Sequence, residues 1–598
     1  MLKQDQINIY IPVSEIFPNV GNDFKTFRDL LKELSRTDAL FWCARLNLVL
    51  SSSSDLNHME RQQFGLNQFL TTEEINAVNA FIRKHRDARK INVFFRGQLL
   101  ELIRWVALYC QDYPDDGMTF EDPEIRRKFV QAALIASDIW SKRALDNRLS
   151  LNNGAEIVMK KSLGAIRKSI EATSFAPYLY RPLVRGWTLF NEYFPRFYPP
   201  FEHEFLTSTG LSIEEYYICL SAIITNFMNP NIGTGIFKSD TREEPISNKD
   251  VLQKFTALES QTVGELRDAL WGKEKIETGA DNAPSYDYRP LREKPIVRAN
   301  DNRAIILDPV FFSEKAFIGP LFHLLGKNTP RDKANNIFNA FGKAFESYSC
   351  DILKRIFPDT GSNLVKRLTC NIRETDSAGN VIEIDACLND VTEMVLFEMK
   401  AVWIRENEIL TEDYESYLQH LKKKYVTTEG ASGDRKTKGI GQLARTINIL
   451  ASRNGLGQNK EYGEIQFIYP VLVVHDTLMN APVYGNFLAS EFKTQLVPDI
   501  ELQSGELKKG RFRIAPLILM TVEDLENLET SVENFALRDF LADYSRSCPD
   551  RLMSLHDFIA YSPYARQFRH NQTMVDKGLE ILRKTGEALF PQDRGQSD

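Results

Sequence analysis

Two short runs hold residues able to do chemistry: Val381 to Leu388, carrying Glu383 and Asp385, and Val395 to Val402, carrying Glu398 and Lys400. Each run alternates as a β-strand does, so side chains two apart share a face. Glu383 then lies beside Asp385, and Glu398 beside Lys400. Pairing the runs as a hairpin across Asn389 to Glu393 brings Asp385, Glu398 and Lys400 to one sheet edge. Carboxylates suit Mg²⁺, a hard ion that takes oxygen ligands at about 2.0–2.1 Å and keeps several waters. Such an ion lowers the pKa of bound water and shields phosphate charge. The lysine would orient or stabilise the attacking hydroxide. By itself, an acid-x-Lys triplet is common by chance and reads more readily as a surface ion pair on an ordinary strand.

The elements around the two runs give them a context. Upstream, Ile337, Phe341, Phe345, Ile352, Leu353 and Ile356 recur at helical spacing, and Glu346 sits directly beside that apolar stripe. Downstream, Gly439 to Leu450 reads as a second helix with Gln442 near its start. Ile465 to His475 reads as a buried, β-branched strand. The order is helix with Glu, strand with Asp, strand with Glu-x-Lys, helix with Gln, strand.

This order resembles the PD-(D/E)XK nuclease superfamily, over about residues 285 to 500. The resemblance runs through Glu346, Asp385, Glu398-Met399-Lys400 and Gln442. It implies an α/β restriction-endonuclease-like core, a mixed sheet flanked by helices. It also implies that Asp385 and Glu398 bind the metal, that Lys400 assists the water, and that Glu346 is a further ligand or orienting group. Gln442 joins them as a candidate catalytic residue. Asp385 is preceded by Ile384 where the family's motif has proline. DNA is favoured over RNA as substrate by the same resemblance.

The chain as a whole bounds these readings. With 598 residues it exceeds one ordinary domain. Its 43% hydrophobic and 26% charged residues are those of a soluble globular protein. A net charge of −7 argues against a wholesale basic nucleic-acid binder, so any DNA contact must be local. The seven cysteines are odd in number and contain no C-x-x-C, which reads as buried thiols in a reducing compartment. The first ten residues lack the apolar core of a secretory signal, and no run approaches eighteen apolar residues. A cytoplasmic protein without a membrane span is expected.

One local excess of positive charge stands out. Between 422 and 445 the basic residues are Lys422, Lys423, Lys424, Arg435, Lys436, Lys438 and Arg445, against Glu429 and Asp434. Beside a metal site such a segment would suit phosphate contacts, and it reads as readily as a solvated helix face and loop. Residues 173 to 210 are dense in aromatics and prolines, either a stacking surface for bases or a packed connector. A polar linker at 272–288 precedes a strand pair, Pro295 to Arg298 and Arg303 to Asp308, around the turn Asn300-Asp301-Asn302. Helices are predicted before it, including one at 155–172, with capping boxes at Thr71 and Ser212, and a third capping box at Thr521 opens the C-terminal helices. The C-terminal residues return to helix and end in a polar tail at 591–598.

The chain contains no G-x-x-x-x-G-K-[ST], no zinc spacing among its eight histidines and no G-x-S-x-G, so no nucleotide cofactor is expected. The expected architecture is an all-α N-terminal domain (1–284), the nuclease core (285–520) and a helical C-terminal extension (521–598). The expected activity is Mg²⁺-dependent phosphodiester hydrolysis, with Mn²⁺ an alternative ion. A partner protein or a second copy would supply recognition or assembly, and a bacterial anti-phage or restriction effector fits by analogy. The alternative is a catalytically silent binding or scaffold subunit with the same core.

Overall fold

A computed structural model of the chain describes residues 8–52, 58–85, 90–112, 122–149, 180–227, 236–238, 248–272, 287–299, 303–326, 328–358, 367–375, 381–404, 414–429, 435–453, 464–502, 504–531, 535–551, 553–568 and 571–589. The helix expected at 155–172, the aromatic run before 180, most of the 272–288 linker, the turn at 300–302, the centre of the basic insertion and the polar tail lie outside the described residues.

The N-terminal part is mainly helical, including α1 (Arg36–Ser52) and α2 (Arg96–Tyr109). Near the start, β1 (Asn8–Tyr10) runs parallel to β2 (Lys90–Asn92). Thr71 caps the following helix as its motif predicts, because Thr71 and Glu74 each accept the other's backbone N–H. The all-α expectation needs correcting. β3 (Ile236–Lys238), β4 (Ser260–Thr262), β5 (Ile296–Arg298) and β6 (Arg303–Ile306) form a four-stranded sheet in the order β3-β6-β5-β4. β5 and β6 are marked by the turn residues Asn300-Asp301-Asn302 between them, whereas three-residue β3 and β4 are too short to leave a period-2 signature of their own.

Helix α3 (Tyr180–Thr188) crosses α4 (Pro309–Leu324) closely at Gly186, where a Cβ would sit 1.9 Å from the Ala316 carbonyl oxygen. Only glycine fits there. The described part of the aromatic run behaves as core: Phe190, Phe194, Phe201 and Phe205 are fully buried and join one large apolar cluster. They are a packed connector, and the reading as a base-stacking surface is set aside for them.

The long α5 (Arg331–Ile356) precedes the main sheet. Strands β7 (Arg367–Thr375), β8 (Val381–Asp390) and β9 (Glu393–Lys400) form an antiparallel meander. The hairpin loop is shorter than the expected polar connection, because β8 and β9 pair out to Asp390 and Glu393 and leave only Val391 and Thr392 to turn. The chain continues through α6 (Tyr414–Tyr425), the hairpin β10 (Thr427–Glu429) and β11 (Arg435–Thr437), and α7 (Ile440–Arg453) into β12 (Phe467–Val474), parallel to β9. After α8 (Pro482–Leu496) come β13 (Ile500–Glu501), β14 (Leu507–Lys509), β15 (Phe512–Ile514) and β16 (Ile518–Thr521). The eight-stranded sheet has the order β13-β14-β15-β12-β9-β8-β7, with β16 also against β12.

This mixed sheet is covered on both faces, so β9 is buried at every position from Met394 to Met399 and departs from the alternation expected of it. Val395, Phe397 and Met399 join the cluster containing Ile337, Phe341 and Phe345 of α5. Met394 and Leu396 join the other, with Leu421 of α6, Ile447 of α7 and Leu488 of α8. Full burial of such side chains contributes about 1.5–3 kcal/mol each. Residues on both sides of 285 and of 520 contribute to shared clusters.

Past β16, the Thr521 capping box opens α9 (Val522–Leu528), and the last described helix is α10 (Gln572–Leu589). Two buried ion pairs tie distant segments together. Arg185 of α3 donates twice, at 2.6 Å each, to Glu526 of α9, which also accepts from Tyr348 of α5 at 2.8 Å. Arg96 of α2 donates at 2.6 and 2.8 Å to Asp308, whose carboxylate caps α4. Among the described residues no helix is long and apolar enough to cross a membrane.

Candidate functional site

The site forms where β8 and β9 part company. Their ladder ends at Ala386 against Phe397, while β9 continues beside β12, with Glu398, Met399 and Lys400 opposite Leu472, Val473 and Val474. The backbone N–H of Met399 donates instead to the Asp385 carboxylate at 2.6 Å. On the other side of Asp385, Asn371 lies between the pairs Cys370–Ala386 and Ile372–Ile384 with φ +55°. Asparagine tolerates that left-handed backbone better than most residues. The splay turns Asp385 from a ladder residue into a carboxylate presented to the end of β9.

Glu398 and Lys400 share a face, as their spacing requires, and Nζ of Lys400 lies 2.6 Å from Oε1 of Glu398. Glu398 is almost fully buried, at 1% exposure. Burial and then the Asp385 charge push its carboxyl up to about 8, with Lys400 opposing. Glu346, half-buried on α5, is pushed up to about 7 by burial and by Asp385, against Lys400 and Lys343. Burial also raises Asp385, while Lys400 and the Met399 amide hold it down. For Lys400, burial disfavours the ammonium, but Glu398 and Asp385 outweigh it and its pKa rises. Three carboxyl groups thus crowd one ammonium in a dry setting, and their mutual repulsion is what a cation would relieve.

These residues fit a magnesium ion in a restricted way. Among the described residues no group of three or more His, Cys, Asp and Glu side chains is arranged to hold a metal. Mg²⁺ itself needs only one or two carboxylates, with waters and substrate phosphate completing its shell. Asp385 and Glu398 meet that need, whereas the third ligand expected at Glu346 does not close a three-carboxylate cage.

Glu346 and Lys400 open onto a cleft of about 3290 Å³; Asp385 and Glu398 lie behind its lining. The chain matches no known protein family, curated protein or solved structure. The cleft's charge contrasts with that of the whole chain, since its lining has eleven Lys and Arg against seven Asp and Glu. Several of these cations are engaged in ion pairs, as Arg185 is with Glu526 and Arg292 with Glu314. Lys294, Arg331, Lys343 and Lys438 are exposed along the cleft.

The remaining candidates divide. Gln442 lines the cleft from the first turn of α7, where its side chain accepts the Gly439 N–H at 3.0 Å. Lys424 and Lys438 also line it. Lys422 pairs with Glu491 at 2.8 Å, and Lys423 is exposed away from the lining. Arg445 belongs to a separate, smaller depression. Arg435 and Lys436 fall on β11, and their side chains lie outside the described residues. Of the five basic residues whose side chains are described, Lys424 and Lys438 therefore face the cleft, while Lys422, Lys423 and Arg445 lie outside its lining. Sequence reading missed Lys343 and Arg331; Lys343 precedes Glu346 by three positions on one helix, a spacing that shares a face.

Proposed function

We propose that this chain is a metal-dependent nuclease that hydrolyses phosphodiester bonds of DNA, with a restriction-endonuclease-like core. The observation that carries the reading is the parting of β8 from β9, which gathers Asp385, Glu398 and Lys400 beside Glu346 of α5, with Lys400 and Glu346 opening onto a net-basic cleft. Asp385 and Glu398 would hold Mg²⁺ or Mn²⁺, and Glu346 would orient from α5. When bound, the ion would supply an activated water and neutralise developing phosphate charge. Lys400 would hold that water by its ammonium, and the exposed cleft cations would position the phosphate backbone. An anti-phage or restriction effector remains a reading by analogy to other nucleases fused to large helical regions.

One observation favours a second reading, a catalytically silent binding or scaffold subunit: Glu398 is buried and paired with Lys400 behind the cleft wall. The test is incubation of purified protein with plasmid, linear and single-stranded DNA and with RNA, in Mg²⁺, Mn²⁺ or EDTA, beside Asp385→Ala. Metal-dependent cutting of DNA that Asp385→Ala abolishes is the expected result. Cutting that survives Asp385→Ala would overturn the assignment, and binding without cutting would favour the silent subunit.

A further inference from the structure

Helix α5 presents a stripe of Asn335, Phe338, Asn339, Gly342 and Glu346 to the cleft, at helical spacing. The stripe ends at the acidic site, and at its other end the lining turns aromatic. Phe338 lies 5.7 Å from Trp403, ring centre to ring centre, and Phe322 of α4 lies 6.3 Å from Trp403 on another side. Trp403 follows Lys400 by three residues and is held from behind by Phe341 at 4.7 Å and His475 at 4.3 Å. The rings become more open outward: Phe341 is fully buried, Trp403 half-buried, and Phe322 45% exposed. An exposed phenylalanine in a cleft lined by Lys343, Arg331 and Lys400 combines a π-face with cations. A nucleotide strand offers the complementary pair, a base face and a phosphate.

We propose that Phe322 and Trp403 form a stacking step for an unpaired base, so that the cleft takes single-stranded DNA or the single-stranded part of a junction. The inference rests on the nuclease reading of the Asp385 site. A base within a duplex has both faces covered by its neighbours, so an exposed ring at this position rewards only an unstacked one. From Phe338 to Glu346 the helix advances about 12 Å. At 3.4 Å per stacked nucleotide, that is about three to four nucleotides between the stacked base and the scissile phosphate.

The test measures binding of a fluorescent oligothymidine, and of a blunt duplex of equal length, to the full chain in EDTA. Phe322→Ala is compared with Phe322→Tyr, which keeps the ring, and with Phe197→Ala, a 37% exposed phenylalanine outside the cleft. The expected result is about tenfold weaker single-strand binding for Phe322→Ala, within the range of base–aromatic stacking. Duplex binding stays unchanged, and the tyrosine variant stays within about twofold of wild type by the same logic. Equal loss on both substrates, or no loss beyond that of Phe197→Ala, overturns the stacking step. Wild-type cleavage that Phe322→Ala leaves intact on single strands sinks the step and spares the nuclease. Phe322-dependent binding without cleavage in Mg²⁺ or Mn²⁺ does the reverse, and absence of binding to either substrate overturns the step outright.

Discussion

Replacing Glu398 by glutamine should change how the stability of the metal-free protein responds to pH. The Glu398 carboxyl is pushed up to about 8 from an ordinary 4.5, first by burial and then by Asp385. Its folded pKa therefore exceeds its unfolded one, and the folded state holds a proton that the unfolded state has released. Stability from this group is fully present below about pH 4.5 and is lost as pH rises toward 8. At about 1.4 kcal/mol per pH unit, the loss between about pH 4.5 and 8 is on the order of 5 kcal/mol. Glutamine keeps the shape and has no proton to lose. The assay is urea unfolding in EDTA at pH 5, 6, 7 and 8. Wild type should weaken across the series by several kcal/mol more than Glu398→Gln, whatever the variant's absolute stability. Excess Mg²⁺ should restore wild type at pH 8 and leave the variant nearly unchanged. Parallel pH curves for the two proteins would refute the argument that burial and Asp385 together hold Glu398 protonated.

Three further outcomes are expected. Lys400→Ala should lower DNA cleavage at least about 100-fold while near-normal folding is seen by circular dichroism; cleavage within a few-fold of wild type would remove the lysine's role. Arg185→Met should destabilise the protein by about 3–5 kcal/mol, because it leaves Glu526 buried without its cation. Adding Glu526→Leu should recover part of that loss in urea unfolding, and no recovery would count against a buried-charge cost. Val391, 60% exposed with φ +52°, pays for a left-handed backbone, so Val391→Gly should raise the free energy of unfolding in urea by about 0.5–1 kcal/mol; a lowered value would contradict that.

The acidic site was legible because its logic is local. Residues two apart on a strand must share a face, so Glu398 and Lys400 had to meet once β9 formed. Asp385 was placed beside them by a hairpin pairing that the two runs themselves implied. The departure of β8 from β9 was not legible, since it depends on Asn371 of β7 and on the continuation of β9 along β12. The cleft was hidden for a related reason. Its walls come from α3, α4 and α5 as well as from the core, and no spacing in a chain reports which distant helices will face one another. For the basic run at 422–445 the sequence left phosphate contact and solvated face both open, and of the side chains described there only Lys424 and Lys438 line the cleft. In the aromatic run, composition allowed both surface and core, and burial of Phe190, Phe194, Phe201 and Phe205 decided for core.

The Arg185–Glu526 pair also sets a schedule. The two residues are 341 positions apart. At a synthesis rate of about 5–20 residues per second, Arg185 leaves the ribosome roughly 17 to 70 s before its partner. During that interval a guanidinium destined for a dry interior has no carboxylate to meet, and α3 cannot settle against α9. The acidic cluster, all of it before position 401, is already outside by then, yet the wall that shapes the cleft above it is not closed. A nascent chain is thus kept from presenting a finished site until its last helices have been made.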